Sequence, residues 1–171
     1  MNRETLPRAL VAAIMIVMSG NAYAAATKPM AVIGQLVLNG GAASPVMSYA
    51  WSVTADTKWT QGGASVGKPN PDSIRITRQF DSSSIEALLK IASGQAFVTG
   101  VLTVTVGKGK SASTMVYEMV GLFVTNITHG VEEGLVSESI SFVFKTVKWT
   151  LTDAAGNVTT GQWDIPAGTA S

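Results

Sequence analysis

The sequence contains no cysteine, a single histidine and few charged side chains, with Asp, Glu, Lys and Arg making up 13% of its 171 residues. The lack of cysteine excludes a disulfide framework and a lipoprotein of the usual kind. Stability in an oxidising compartment must then come from the core or from assembly. His129 has Glu132 and Glu133 nearby, but His129-x-x-Glu132-Glu133 is not a metal-ligand spacing and no second His or Cys completes it. No nucleophile elbow is expected, and carboxylates are scattered. Gly107-Lys108-Gly109-Lys110-Ser111 lacks phosphate-loop spacing and joins strand to strand, so no helix N-terminus faces an anion there. No catalytic residue, cofactor site or metal site is therefore assigned.

What is present begins with an address. Arg3 and Arg8 precede an unbroken apolar run from Ala9 to Met18, and Ala22-Tyr23-Ala24 has the small-residue pattern of a cleavage site. The run is shorter than the roughly 20 residues a spanning helix needs. Residues 1–24 are expected to be a signal peptide, with the mature chain starting at Ala25. Export to the periplasm or the extracellular space follows, with no stable membrane insertion after cleavage. Removal of Arg3, Arg8 and Glu4 takes the 12 basic and 11 acidic residues to ten of each. A neutral mature chain argues against a nucleic-acid partner, which would need a basic patch.

Residues 25–171 read as one domain, with neither an internal repeat nor a linker. Gly, Ser, Thr and Val abundance points to an all-β barrel or sandwich of about seven antiparallel strands with one short α-helix. Strands are expected over Met30–Leu38, Met47–Val53, Ile74–Phe80, Phe97–Val106, Met115–Ile127, Ser139–Leu151 and Val158–Ile165. The sixth is the most informative. Ile140, Phe142 and Phe144 share one phase, and Val147, Trp149 and Leu151 share the other. Such a slip moves side chains to the opposite face, so a bulge is expected between Phe144 and Val147. Trp51, Ile140, Phe142, Phe144 and Trp149 are expected in the core.

Two further segments stand out. Ala55–Asp72 is a long Gly-, Lys- and Pro-rich connection, of a length usually functional or disordered. Gly62, Gly63, Gly67 and Lys68 are its candidate inter-subunit residues. Ser83 and Glu86 have capping-box spacing ahead of Ile85, Leu88, Leu89 and Ala92, which fall on one helical face and end at Gly94. That helix is expected to plug an open barrel end.

In order and spacing these features resemble the Hcp family, the tube protein of type VI secretion systems. The likeness runs from Met30 to Ile165. It rests on Tyr49-Ala50-Trp51-Ser52, Gly67-Lys68, Asp72-Ser73-Ile74-Arg75-Ile76-Thr77-Arg78, Asp81-Ser82-Ser83-Ser84, Ala92-Ser93-Gly94, the slip across Phe144–Val147, and Gly161-Gln162-Trp163-Asp164-Ile165. The resemblance implies a small barrel with a flanking helix, assembling into hexameric rings that stack into a tube with cargo or effectors in the lumen. Family tubes are built in the cytoplasm, whereas residues 1–24 form an export leader. Two functions remain open. One is an exported structural protein that self-assembles into hexameric rings and stacked tubes. The other is a secreted monomeric barrel that recognises a ligand or cell surface.

Overall fold

The computed structural model describes residues 31–132 and 135–171. The expected signal peptide, residues 1–24, lies outside the described residues, as does Met30. In chain order the strands are β1 (Gly34–Leu38), β2 (Ala43–Ala50), β3 (Val53–Thr54), β4 (Thr57–Thr60), β5 (Gly63–Val66), β6 (Asn70–Pro71) and β7 (Ile74–Gln79). Helix α1 (Ser82–Ser93) follows, then β8 (Phe97–Val106), β9 (Ser113–Glu132), β10 (Leu135–Val143), β11 (Thr146–Thr152), β12 (Val158–Asp164) and β13 (Thr169–Ala170).

The neighbours β10-β7-β2-β1-β8-β9 form a ring of antiparallel strands that closes where β9 pairs with β10. Closure leaves this barrel no open edge. The period-two pattern does the packing: Ile74, Ile76 and Arg78 point inward from β7 while Arg75 and Gln79 are exposed. Leu36, Ile74, Ile76, Phe97, Leu102 and Phe142 are fully buried in the resulting core.

Strand β9, at 20 residues, is long enough to serve two walls. Its first half pairs with β8 on one side and β11 on the other, and its second half pairs with β10. Beyond β11 the sheet continues as β12 and β13, outside the barrel. The handover explains the phase slip. Val143–Thr146 is not a bulged continuous strand but a corner between β10 and β11, with Lys145 N–H donating to Val120 O at 3.0 Å. The expected bulge lies elsewhere, in the β9–β10 register between Ser141 and Phe142. Opposite the corner, β9 slips in the same way: Tyr117 and Met119 are buried, then Leu122 and Val124. Gly121 sits at the slip with φ +65, and the Lys145 side chain lies over it, Cδ 3.0 Å from where a Cβ would be. A non-glycine residue would be strained there twice, by backbone and by contact.

Ile140, Phe142 and Phe144 are buried. Trp51 and Trp149 are partly buried and pack on that core, with Trp51 5.5 Å from Phe144 and 5.9 Å from Trp149 between ring centroids. Pro45 falls between the expected strands Met30–Leu38 and Met47–Val53, but the second strand starts earlier, at Ala43. Pro45 lies within β2, opposite Gln35, where pairing to β7 has not yet begun, so its missing N–H costs no ladder bond on that side.

The helix needs two corrections. Its N-cap is Asp81, not Ser83: the Asp81 carboxylate accepts from Ser83 N–H at 2.8 Å, and Ser84 Oγ accepts from Asp81 N–H at 3.1 Å. Asp is among the strongest caps, and Ser at the third position completes the box in place of Glu. Nor does the helix plug the barrel through Ile85, Leu88, Leu89 and Ala92, which are all exposed. Ser84 and Ala87 are its buried residues, so the barrel is met by the small-residue face. Gly94 ends α1 in the left-handed conformation, as its position predicts.

Candidate assembly surface

The long connection folds as a projecting hairpin arm rather than an irregular loop. At its base β3 pairs with β6, and further out β4 pairs with β5 across Gln61-Gly62. Two clamps hold the base. Trp51 Nε1 donates to Asp72 O at 2.9 Å, and Ser52 Oγ donates to the Asp72 carboxylate. Midway, Gly67 N–H donates to Asp56 O at 2.7 Å, and a Cβ on Gly67 would lie 3.3 Å from that oxygen, so a larger residue would crowd the contact. Gly63, at φ +124, occupies a conformation L side chains rarely adopt, while a Cβ on Gly62 would meet only Thr60 Oγ1, at 4.0 Å. Lys68 lies across the C-terminal segment, its Cε 3.9 Å from where a Cβ on Gly168 would be.

Every residue from Thr57 to Val66 is exposed, including Trp59 at 82% and Val66 at 70%. Paired backbone with no core beneath it is an arm offered to solvent, and tryptophan, with tyrosine and arginine, is enriched among the residues that carry binding energy at protein–protein interfaces. Outside the barrel the sheet also has an edge at β12, where Val158 is exposed and the C-terminal residues Thr169–Ser171 cover only Gln162 to Asp164. Such edges are templates for strand addition.

The arm contains the letters Gly63-Ala64-Ser65-Val66-Gly67, which fit Gly-x-Ser-x-Gly and correct the expectation that no such elbow pattern exists. Ser65 nevertheless sits mid-strand opposite Lys58, with no helix after it, so the strained strand-to-helix turn that activates a serine is missing. His129 is committed elsewhere. Its Nε2 lies 3.1 Å from Glu138 Oε2, and its ring meets Phe80 edge-on at 5.1 Å. Glu133, its other candidate neighbour, lies outside the described residues.

Sequence reasoning missed a buried polar cluster behind α1. Arg78 and Glu138 are fully buried. Arg78 Nε donates to Glu138 Oε1 at 2.8 Å, and Nη2 lies 2.7 Å from the same oxygen without hydrogen-bond geometry. Nη1 donates to Ser44 Oγ at 2.9 Å and to Ser83 Oγ. Partial burial pushes the Asp81 carboxyl up, but hydrogen bonds from Ser44 and Ser83 and the Arg78 charge outweigh it, leaving the group below its ordinary value. The available signal was Arg78 standing where β7 alternation demands an inward residue. The cluster ties helix to barrel and presents no reacting geometry.

An antiparallel barrel with one flanking helix, an appended sheet and a projecting arm defines the class of fold. A solved structure described as a type six secretion system protein matches with TM-score 0.68 and 19% identity, covering 82% of this chain and all of the other. Hcp1 from Salmonella typhimurium matches with TM-score 0.66 and 18% identity over 83% of this chain and 100% of its own. The secreted protein Hcp3 from Pseudomonas aeruginosa matches with TM-score 0.56 and 12% identity, over 78% and 99%. No curated protein matches the chain. The family model for "Type VI secretion system effector, Hcp" matches residues 42–151, well over half the sequence, and the chain belongs to the Hcp family. It is a type VI secretion tube-like protein, and a structural one rather than an enzyme.

Proposed function

We propose that the chain is exported and self-assembles through heterologous contacts into hexameric rings, which stack into tubes able to hold cargo or effectors in the lumen. The observation that carries this reading is the arm: a paired hairpin, fixed at its base, whose outer strands are exposed throughout and carry Trp59. A ring needs one patch that meets a different patch on the next subunit, and an arm meeting an open sheet edge is such a pair. Family membership supports the same reading. Gly62, Gly63 and Gly67 shape the arm, and Lys68 lies at its base. The leader over residues 1–24 would deliver the protein to the periplasm or beyond, with Ala25 as the mature N-terminus.

Removing Thr57–Val66 and joining Asp56 to Gly67, already hydrogen-bonded neighbours, tests this directly. The shortened mature chain is expected to keep its circular dichroism and lose its high-mass species. A shortened chain that assembles as well as the intact one would remove the arm from the interface.

A further inference from the structure

A cavity of about 600 Å³ opens where the arm leaves the barrel. Its walls include Trp51, Trp149 and Trp163, with Pro69 and Ala167 among the smaller apolar residues and Lys68 as the sole charged lining residue. Each wall is held in place. The Trp51 N–H is committed to Asp72 O and its ring packs against Phe144 and Trp149, so it forms a fixed apolar wall. Trp149 lies over Gly161, its register partner in β12, with Cε3 3.4 Å from where a Cβ would be. Trp163 is 8% exposed and anchored in the core. Among the described residues Lys68 takes part in no ion pair, and none of the lining residues is acidic.

Size, apolar lining and a single placed polar group are the attributes of a preformed small-ligand site. Indole faces select a flat, apolar group by stacking. One unpartnered cation selects an anion. We infer that this cavity binds an aromatic carboxylate, the ring system held by the tryptophans and the carboxylate paired with Lys68. The inference goes beyond self-assembly and does not depend on it. The same chemistry is offered by a free aromatic acid and by a peptide ending in an aromatic residue with a free carboxylate, and the two can be told apart.

The test is calorimetric titration of the mature chain with 2-naphthylacetate, its uncharged amide, and an acetylated tetrapeptide ending in Phe-Trp with a free C-terminus. The carboxylates are expected to bind about three- to fivefold more tightly than the amide, the scale of one part-exposed ion pair. Lys68→Met, which keeps the stem and removes the charge, is expected to abolish that difference. Ala167→Trp, which fills the cavity, is expected to remove binding by naphthylacetate and peptide alike. Should that substitution disturb folding by circular dichroism, Ala170→Trp makes the same test from β13. Binding of the small acid alone identifies a free metabolite as the ligand, and binding of the peptide identifies a chain end. No binding to the unmodified chain, as when a second copy already fills the cavity, would overturn the inference. So would binding that Lys68→Met and the filling variant leave unchanged.

Discussion

The barrel and the arm are built from the same antiparallel pairing and differ in what lies beneath it. In the barrel every strand has two neighbours and a shared interior, and Leu36, Ile74, Ile76 and Phe142 are completely buried. In the arm, β4 and β5 have only each other, and Trp59 and Val66 face solvent. An isolated two-stranded hairpin is at best marginally stable in water. The arm therefore depends on its clamped base and on whatever covers it, while the barrel needs neither. Stability resides in the barrel, and the proposed association is assigned to the arm.

That division can be broken most severely inside the barrel. Replacing Glu138 by Gln removes the buried carboxylate closest to Arg78 and leaves only Asp81, 3.9 Å from Nη1, to balance the buried charge, a change expected to cost ~3–5 kcal/mol. Phe142→Ala removes a fully buried ring at the β7–β10 contact and is expected to cost ~3–5 kcal/mol as well. Urea denaturation of each variant measures both, and a loss below about 1 kcal/mol would mean the site is not a packed core. Asp81→Ala, which deletes the α1 cap, should cost a smaller ~0.5–2 kcal/mol.

The Asp81 carboxyl also gives the barrel an acid dependence. Its value in the folded chain is lowered from the ordinary 3.8, so the ionised form stabilises the fold. That contribution is fully present above pH 3.8 and is lost as pH falls through the lowered value. Asp81→Asn retains a capping oxygen without the charge. The stability gap between the intact chain and this variant should therefore shrink on acidification, and a gap that widens would contradict the assignment. At the bottom of the scale, deletion of Thr57–Val66 should change barrel stability by no more than about 0.5 kcal/mol, because those residues bury nothing within their own subunit.

Strand positions were legible because period-two alternation records which face is wet. Ile74–Gln79 and Gly100–Val104 show this clearly. The phase slip in Ser139–Leu151 was visible too, but its cause was not. A corner and a bulge shift phase identically, and only pairing to β9, which slips at Gly121, separates them. The helix misled because Ile85, Leu88 and Leu89 make a convincing apolar face that the subunit leaves exposed. Local periodicity reports that a face is apolar and not which molecule covers it. The arm was legible as a long Gly- and Pro-rich segment, while its pairing depended on non-local contacts between Thr57–Thr60 and Gly63–Val66. The Arg78–Glu138 cluster joins residues 60 positions apart and left only one inward-facing Arg as a trace.

The central claim is that the arm makes this barrel self-associate. Sedimentation velocity on the mature chain from Ala25, across a wide concentration range, tests it most directly. The account predicts a species of six subunits, with higher stacks as concentration rises. A single monomeric species at the highest concentration would contradict it and leave a secreted barrel whose exposed arm and tryptophan-lined cavity serve recognition instead.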